Sequence, residues 1–335
     1  MTEQKKLSLR AQQLHAEALV WDNHGCLPQD LARLPRFVGQ LARYRDAGVD
    51  FVSINIGDAQ SPLDNYVKVA AFVRHWIAAH PGDYVLALRP GDIEQAKREG
   101  KLAIAFDIEG GFAVQHQISL LSLFYDLGVR WMLLAYNRNN ALGGGCHDED
   151  AGLTAKGREF IDEMTRIGLV PCCSHTGYRT AMDILERAGA PVIFSHSNPR
   201  ALCDHPRNIP DELIRACAAT GGVIGINGIS LFLGATSPTA DDMVRHIDYV
   251  TQLVGPEHVG LGLDYAFDDA ELTAALAAGA AVWPAQLGYG AGLRIVEPEQ
   301  IPRLTEGLLA LGYRDKDVRA ILGENFLRVA RQSWR

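Results

Sequence analysis

Apolar and polar positions follow two rhythms along the chain. Short runs rich in Val, Ile, Leu and Phe alternate with longer stretches whose apolar residues recur every three to four positions. The first rhythm predicts strands over Ala18–Asn23, Asp50–Ile56, Leu102–Asp107, Val129–Ala135, Leu169–Cys173, Val192–Ser195, Val223–Asn227 and Val259–Leu263. The second predicts helices over Asp30–Ala47, Leu63–Ala79, Ile118–Leu127, Gly157–Ile167, Tyr178–Ala188, Asp211–Ala219 and Asp241–Leu253. Strand alternating with helix implies parallel strands joined by crossovers. Eight such units point to a closed (β/α)8 barrel of the TIM type. An open doubly wound sheet would carry a glycine-rich phosphate loop after its first strand. Here that position reads WDNHGCLP.

Two further helices, over Ile301–Leu311 and Asp315–Gln332, extend the chain beyond the barrel units. Two connections are long: Asn137–Thr154, glycine-rich and polar, and Asp264–Val296, rich in Ala and Gly with Trp283 and Tyr289 within it. Both leave the C-terminal ends of predicted strands, where loops that cover a site are expected. No linker, repeat or low-complexity stretch divides the sequence. Residues 1–335 are therefore expected to form a single domain.

Composition narrows the function classes. The 335 residues are 47% hydrophobic and 21% charged, as in ordinary globular proteins. A net charge of −8 without a basic face argues against nucleic acid as a partner. No run of 18 apolar residues is present, so no membrane span is expected. The start, MTEQKKLSLRAQQLHAEALV, lacks the apolar core of a signal peptide. The six cysteines (Cys26, Cys146, Cys172, Cys173, Cys203 and Cys217) form no CxxC pair. A cytoplasmic setting with reduced thiols is the expectation.

The candidate chemistry lies at strand ends. His24 follows the first predicted strand, Glu109 the third, His175 the fifth and His196 the sixth, while Asp264 closes the eighth. In a barrel these ends converge on one face, bringing residues distant in sequence around one axis. Taken singly, a histidine at a strand end is more often a packed structural residue, and a Glu before Gly-Gly more often a turn residue. Five such residues at matching ends instead suit a metal ion. Zn²⁺ takes nitrogen and oxygen ligands at about 2.0–2.2 Å. Held with one position open, it lowers the pKa of bound water to about 7.

These motifs resemble the membrane (renal) dipeptidases and their bacterial relatives in the amidohydrolase superfamily. The resemblance runs in order through VWDNHGCLP, AFDIEGG, LLAYNRNN, GLTAKGREFIDEM, SHTGYRTAMDI, APVIFSHSNPRAL, HPRNIPDELI, VGLGLDYAF and GENFLRV. It implies two Zn²⁺ ions bridged by Glu109, one held by His24 and its motif partner and the other by His175 and His196. It also implies that Asp264 handles protons and that Arg207 binds the substrate's terminal carboxylate. A guanidinium fork suits a planar carboxylate on chemical grounds as well. The implied substrate is a small dipeptide, often with a D-residue on the C-terminal side, and family members are often dimers, so a homodimer is an oligomeric option.

Two positions depart from the family pattern. Its HxD motif reads His24-Gly25-Cys26 here. Cys26 either ligates as a thiolate, at about 2.3 Å, or leaves the first site weakened and the enzyme with one ion. A third reading is drift to another amide substrate. Asp22 is expected behind the ligands, orienting an imidazole. Tyr136 stands where animal members carry a histidine; its hydroxyl could donate to a developing oxyanion, or the ring could simply pack. Asn137 is a candidate substrate contact. Against the dipeptidase expectation stand a hydrolase of another small amide or lactone, and a non-catalytic barrel relative. The second would be expected to lack a proton-handling group, yet Asp264, Glu109, His175 and His196 are all present.

Overall fold

In the computed structural model, which describes residues 6–335, nine strands form one parallel sheet. They are β1 (Trp21–Cys26), β2 (Phe51–Asp58), β3 (Tyr84–Leu86), β4 (Leu102–Glu109), β5 (Val129–Leu133), β6 (Val170–Cys172), β7 (Ile224–Ile226), β8 (Val259–Leu261) and β9 (Tyr265–Ala266). The first five residues of the chain start discussed above lie outside the described residues. The sheet runs in the order β6-β5-β4-β2-β1-β8-β7, with β3 beside β4 and β9 beside β1. Its two ends are joined by residues 192–195, through bridges pairing Cys172 with Ile193 and Phe194 with Ile224. Hydrogen bonds from Ile193 N to Pro171 O (3.0 Å) and from Gly225 N to Phe194 O (2.7 Å) seal that joint. The expected eight-unit α/β barrel is thus present, with its sixth strand reduced to bridges.

Side-chain alternation sorts each strand into an inner and an outer face. In β4, Ile104, Phe106 and Ile108 pack outward against the helices, while Ala103 and Ala105 join Trp21, Phe51 and Trp131 inside the barrel. Asp107 and Glu109 continue that inner row toward the C-terminal end. In β1 the pairing with β2 shifts register between Asp22 and Gly25, and such an irregularity re-aims a side chain. His24 lies within it. At the N-terminal end the interior is closed by C-terminal helices: Phe326, Leu327 and Trp334 pack beneath Trp21.

The helices Leu63–Ala79 and Asp211–Ala219 fall where their periodicity predicts. Differences have local causes. The helix expected over 30–47 is divided into Leu34–Phe37, a 3-10 turn Val38–Leu41 and Ala42–Asp46, consistent with Pro35 and Gly39 within it. The C-terminal helix is interrupted by a π-helical turn, Ala320–Glu324. Strand β3 and the helix Pro90–Glu99 were not expected; one is three residues long and the other largely polar. The long segment after β8 is ordered, holding β9, the helix Asp269–Ala278 and two 3-10 turns. No helix among the described residues is long and apolar enough to cross a membrane.

Candidate metal centre

At the C-terminal mouth of the barrel, His24, Glu109, His175, His196 and Asp264 do meet. Glu109 Oε2 stands 3.4 Å from His24 Nε2, and its Oε1 stands 3.3 and 3.2 Å from His175 Nε2 and His196 Nε2. The latter two nitrogens are 3.0 Å apart. Asp264 Oδ1 is 3.5 Å from His24 Nε2, and Cys26 Sγ is 3.4 Å from the same nitrogen. His24 and His196 are fully buried and Glu109 nearly so. The backbone is strained on three of the connections that lead into the site. Asn137, His175 and Asp264 are the only non-glycine residues with positive φ among the described residues, at 56°, 63° and 60°. Such conformations cost about 1–3 kcal/mol each and tend to gather where function demands them.

Each imidazole is held from behind at Nδ1. His24 Nδ1 faces Asp107 Oδ2 at 3.3 Å, His175 Nδ1 faces Asn137 Oδ1 at 2.7 Å and His196 Nδ1 faces Ser195 Oγ at 2.7 Å. Ser195 Oγ donates onward to Ser174 Oγ at 3.3 Å, so it accepts from His196. Asp107 is itself fixed by Ser53 Oγ at 2.6 Å and Asn55 Nδ2 at 3.1 Å. With protons at Nδ1, all three Nε2 atoms present lone pairs to one point. His196 is placed there by tight packing: a Cβ at Gly225 or Gly262 would fall 2.1 or 2.0 Å from Ser195 O.

This arrangement fits a divalent cation. Three imidazole lone pairs and a carboxylate converge in a buried space, and Glu109 Oε1 accepts no hydrogen bond there. Donor atoms of His24, Glu109 and His196 form one candidate set, and those of His24, Cys26 and Asp264 another. Burial opposes charge on both Glu109 and His24, yet their neighbours prevail. The three imidazoles hold the Glu109 carboxyl well below its usual range, while Cys26, Glu109 and Asp107 hold His24 well above its own. His196 goes the other way, to about 4, through burial and the charge of His24. Burial and Arg207 likewise hold His175 low.

The donors open into a cavity of about 470 Å³ whose far wall belongs to the segment after β8, with Leu272, Leu276, Trp283 and Tyr289. The loop after β5 latches to that segment. His147 Nε2 meets Tyr289 Oη at 2.9 Å, Asn137 Nδ2 donates to Val282 O at 3.3 Å, and Trp283 Nε1 donates to Tyr136 Oη at 3.3 Å. Tyr136 lines the cavity, its ring stacked on His175 at 4.0 Å. Because its oxygen accepts from Trp283, its own proton is left for another acceptor.

Two expectations need correction. Asn137 does not face the cavity: its carbonyl oxygen orients His175. Asp22 touches no imidazole; its Oδ1 accepts from Leu263 N at 2.8 Å and from His24 N at 3.5 Å, and burial raises its pKa to about 6. The carboxylate that orients His24 is Asp107, which sequence reasoning missed although it sits two residues before Glu109, on the same strand face. Arg207 is buried behind the cage. It donates to His196 O at 2.7 Å and Ser197 Oγ at 3.0 Å, under Phe232, and lines a second cavity of about 300 Å³ that shares His175 with the first. No Lys or Arg among the described residues lines the larger cavity.

Comparison with known proteins gives a consistent picture. The model of the membrane dipeptidase family (peptidase family M19) matches residues 10–276. An uncharacterized protein from the pqqA 5′ region of Klebsiella pneumoniae is 33% identical over 285 residues, 82% of this chain and 97% of that one. An uncharacterized dipeptidase of Schizosaccharomyces pombe is 38% identical over 179 residues, half of this chain and 42% of its own. Among solved structures, an amidohydrolase from Pseudomonas aeruginosa superposes with a TM-score of 0.86 at 27% identity, over 97% of this chain and 99% of its own.

Proposed function

Since the chain belongs to the membrane dipeptidase family and is a metal-dependent hydrolase, we propose that it cleaves the amide bond of small dipeptides with zinc as its metal. The observation that carries this reading is the convergence of three Nδ1-held imidazoles on Glu109, with Asp264 at their edge. His24, Glu109, His175 and His196 would hold the ion or ions, two if Glu109 bridges. Zinc bound there supplies a polarised carbonyl and a water of lowered pKa.

The chain's own groups divide the remaining work. Asp264 lines the cavity, and its Oδ2 accepts from Asn227 Nδ2 at 2.9 Å, which fixes the carboxylate and leaves Oδ1 directed at the donors. It takes the proton of the attacking water at Oδ1 and returns it to the leaving amine. Tyr136 donates its free hydroxyl proton to the oxygen that gains charge as the carbonyl is attacked. Trp283, Leu272 and Leu276 exclude water around the substrate's side chain. Arg207 meets the terminal carboxylate through Nε, which has no partner in the protein, by way of the smaller cavity. Preference for a D-residue on the C-terminal side follows from family resemblance, and all six cysteines being free supports a cytoplasmic setting.

One observation favours a second reading. The larger cavity presents Asp58, Asp264 and Glu271 but no cation to a free carboxylate. A small amide without a terminal carboxylate would fit it. The deciding experiment measures kcat/KM of the zinc-loaded protein on L,D- and L,L-dipeptides beside their C-terminal amides. Dipeptide turnover that falls at least tenfold on amidation is expected. Faster turnover of the amides favours the second reading, and no turnover of either set by fully loaded protein defeats both.

A further inference from the structure

The donor cluster contains one group that the scheme above leaves unused. Cys26 Sγ lies 3.4 Å from His24 Nε2 and 3.7 Å from Asp264 Oδ1, and it lines the cavity. Bonds of about 2.0–2.3 Å from a tetrahedral ion to nitrogen, oxygen and sulfur place neighbouring donors about 3.3–3.6 Å apart. The His24–Glu109, His24–Asp264 and His24–Cys26 separations of 3.4, 3.5 and 3.4 Å match these edge lengths. The match does not rest on the thiol alone. Donor atoms of His24, Cys26 and Asp264 lie close enough together to share one ion, and Glu109 Oε2, on a nearly fully buried side chain, stands beside them at 3.4 Å from His24 Nε2.

We propose that Cys26 is a metal ligand: its thiolate, with His24 Nε2 and Glu109 Oε2, holds an ion on the β1 side of Glu109. The inference rests on the metal reading above but not on the identity of the substrate. Binding breaks the S–H bond as the sulfur–metal bond forms; with the His24 Nε2 lone pair given to the ion, the proton passes to Asp264 Oδ1, 3.7 Å from the sulfur, and on to solvent. The site is then a mixed nitrogen, oxygen and sulfur site. Thiolate favours zinc, cobalt and cadmium over the hard ions magnesium and manganese. The two sides of Glu109 would differ in softness, since the other side offers only imidazole and carboxylate.

Cobalt(II) is the probe, because a thiolate ligand gives it an intense near-ultraviolet charge-transfer band that imidazole and carboxylate do not. The full chain is stripped of metal, titrated with cobalt(II) and followed by absorption and by metal content per chain. The native protein is expected to show the band, and Cys146→Ser to keep it. Cys26→Asp should lose the band but bind as many ions. Cys26→Ser should lose the band and bind cobalt on this side at least about 10–100-fold more weakly, the range typical for losing a group that supports a metal. Circular dichroism of Cys26→Asp checks that folding is intact. A native protein that takes up cobalt without the band, or takes up none, overturns the proposal, as does a band that survives Cys26→Ser. Dipeptide turnover without the band removes this inference alone; the band without any turnover removes the substrate reading alone.

Discussion

On one side of Glu109 stand His175 and His196, whose Nδ1 protons go to neutral acceptors, Asn137 Oδ1 and Ser195 Oγ. On the other stands His24, whose Nδ1 faces the Asp107 carboxylate and whose Nε2 is ringed by Glu109, Asp264 and Cys26. The first pair is kept neutral by burial, with His196 at about 4. The second is surrounded by anionic or ionisable groups. A carboxylate behind an imidazole raises its basicity, so His24 should be the stronger donor. Both sides share Glu109 and similar donor spacings, and they differ in the charge available to a cation. Tight binding is therefore expected on the His24 side and stronger electron withdrawal on the His175–His196 side. That is the side on which Tyr136 stacks and to which the covering segment is tied.

The largest effect should come from the residue that belongs to both sides. Glu109→Gln would weaken both positions at once, lowering activity by more than the roughly 100-fold typical for losing a supporting group. Hydrolysis rates and metal content measured together check this; loss of ions from one side only would break the comparison. Next come the supporting groups. Asp107→Asn should weaken binding on the His24 side about 10–100-fold, and Asn137→Ala should act on the other side at the lower end of that range. Metal titrations of the two variants check the order. Equal losses would mean that the charge behind His24 contributes nothing.

Much of the centre was legible because barrel topology turns strand ends into neighbours. His24, Glu109, His175, His196 and Asp264 each follow or close an apolar run, and those runs all became strands or bridges. The groups behind them were harder to read. Asp107 was accessible to period-two reasoning from Glu109, but a polar residue inside a strand gives no sign of what it touches. Asn137 reads as a polar loop residue until its left-handed backbone turns the side chain onto His175. Arg207 carries the right chemistry for a carboxylate, and only packing shows it braced against His196 O and Ser197. The helix Asp269–Ala278 was hidden by its composition: Ala-rich, with no buried residue, it has no apolar stripe to detect.

The covering segment sharpens the comparison further, because its polar latches fall on the His175 side. Tyr289→Phe removes the contact with His147 Nε2, a single hydrogen bond worth about 0.5–1.5 kcal/mol net. Its expected signature is a several-fold rise in KM with little change in kcat, measured by steady-state kinetics.

The smallest predicted effect is a pH dependence of that same latch. The His147 pKa is lowered to about 4 by burial, with His205 and Arg207 adding to the effect. An imidazole released to solvent titrates near its ordinary value of about 6.5. Above that value neither the closed nor the released segment binds a proton at His147, so pH does not shift the balance. As pH falls from about 6.5 toward 4, the released form takes up a proton while the closed form does not, and closure weakens. Below about 4 both forms are protonated and the loss stops growing. KM should therefore climb between pH 6.5 and 5 in the native protein. In His147→Phe, which has no proton to gain there, that part of the rise should be absent. If the two profiles run parallel, His147 does not govern closure, and whatever distinguishes the two sides of Glu109 does not reach the segment that covers them.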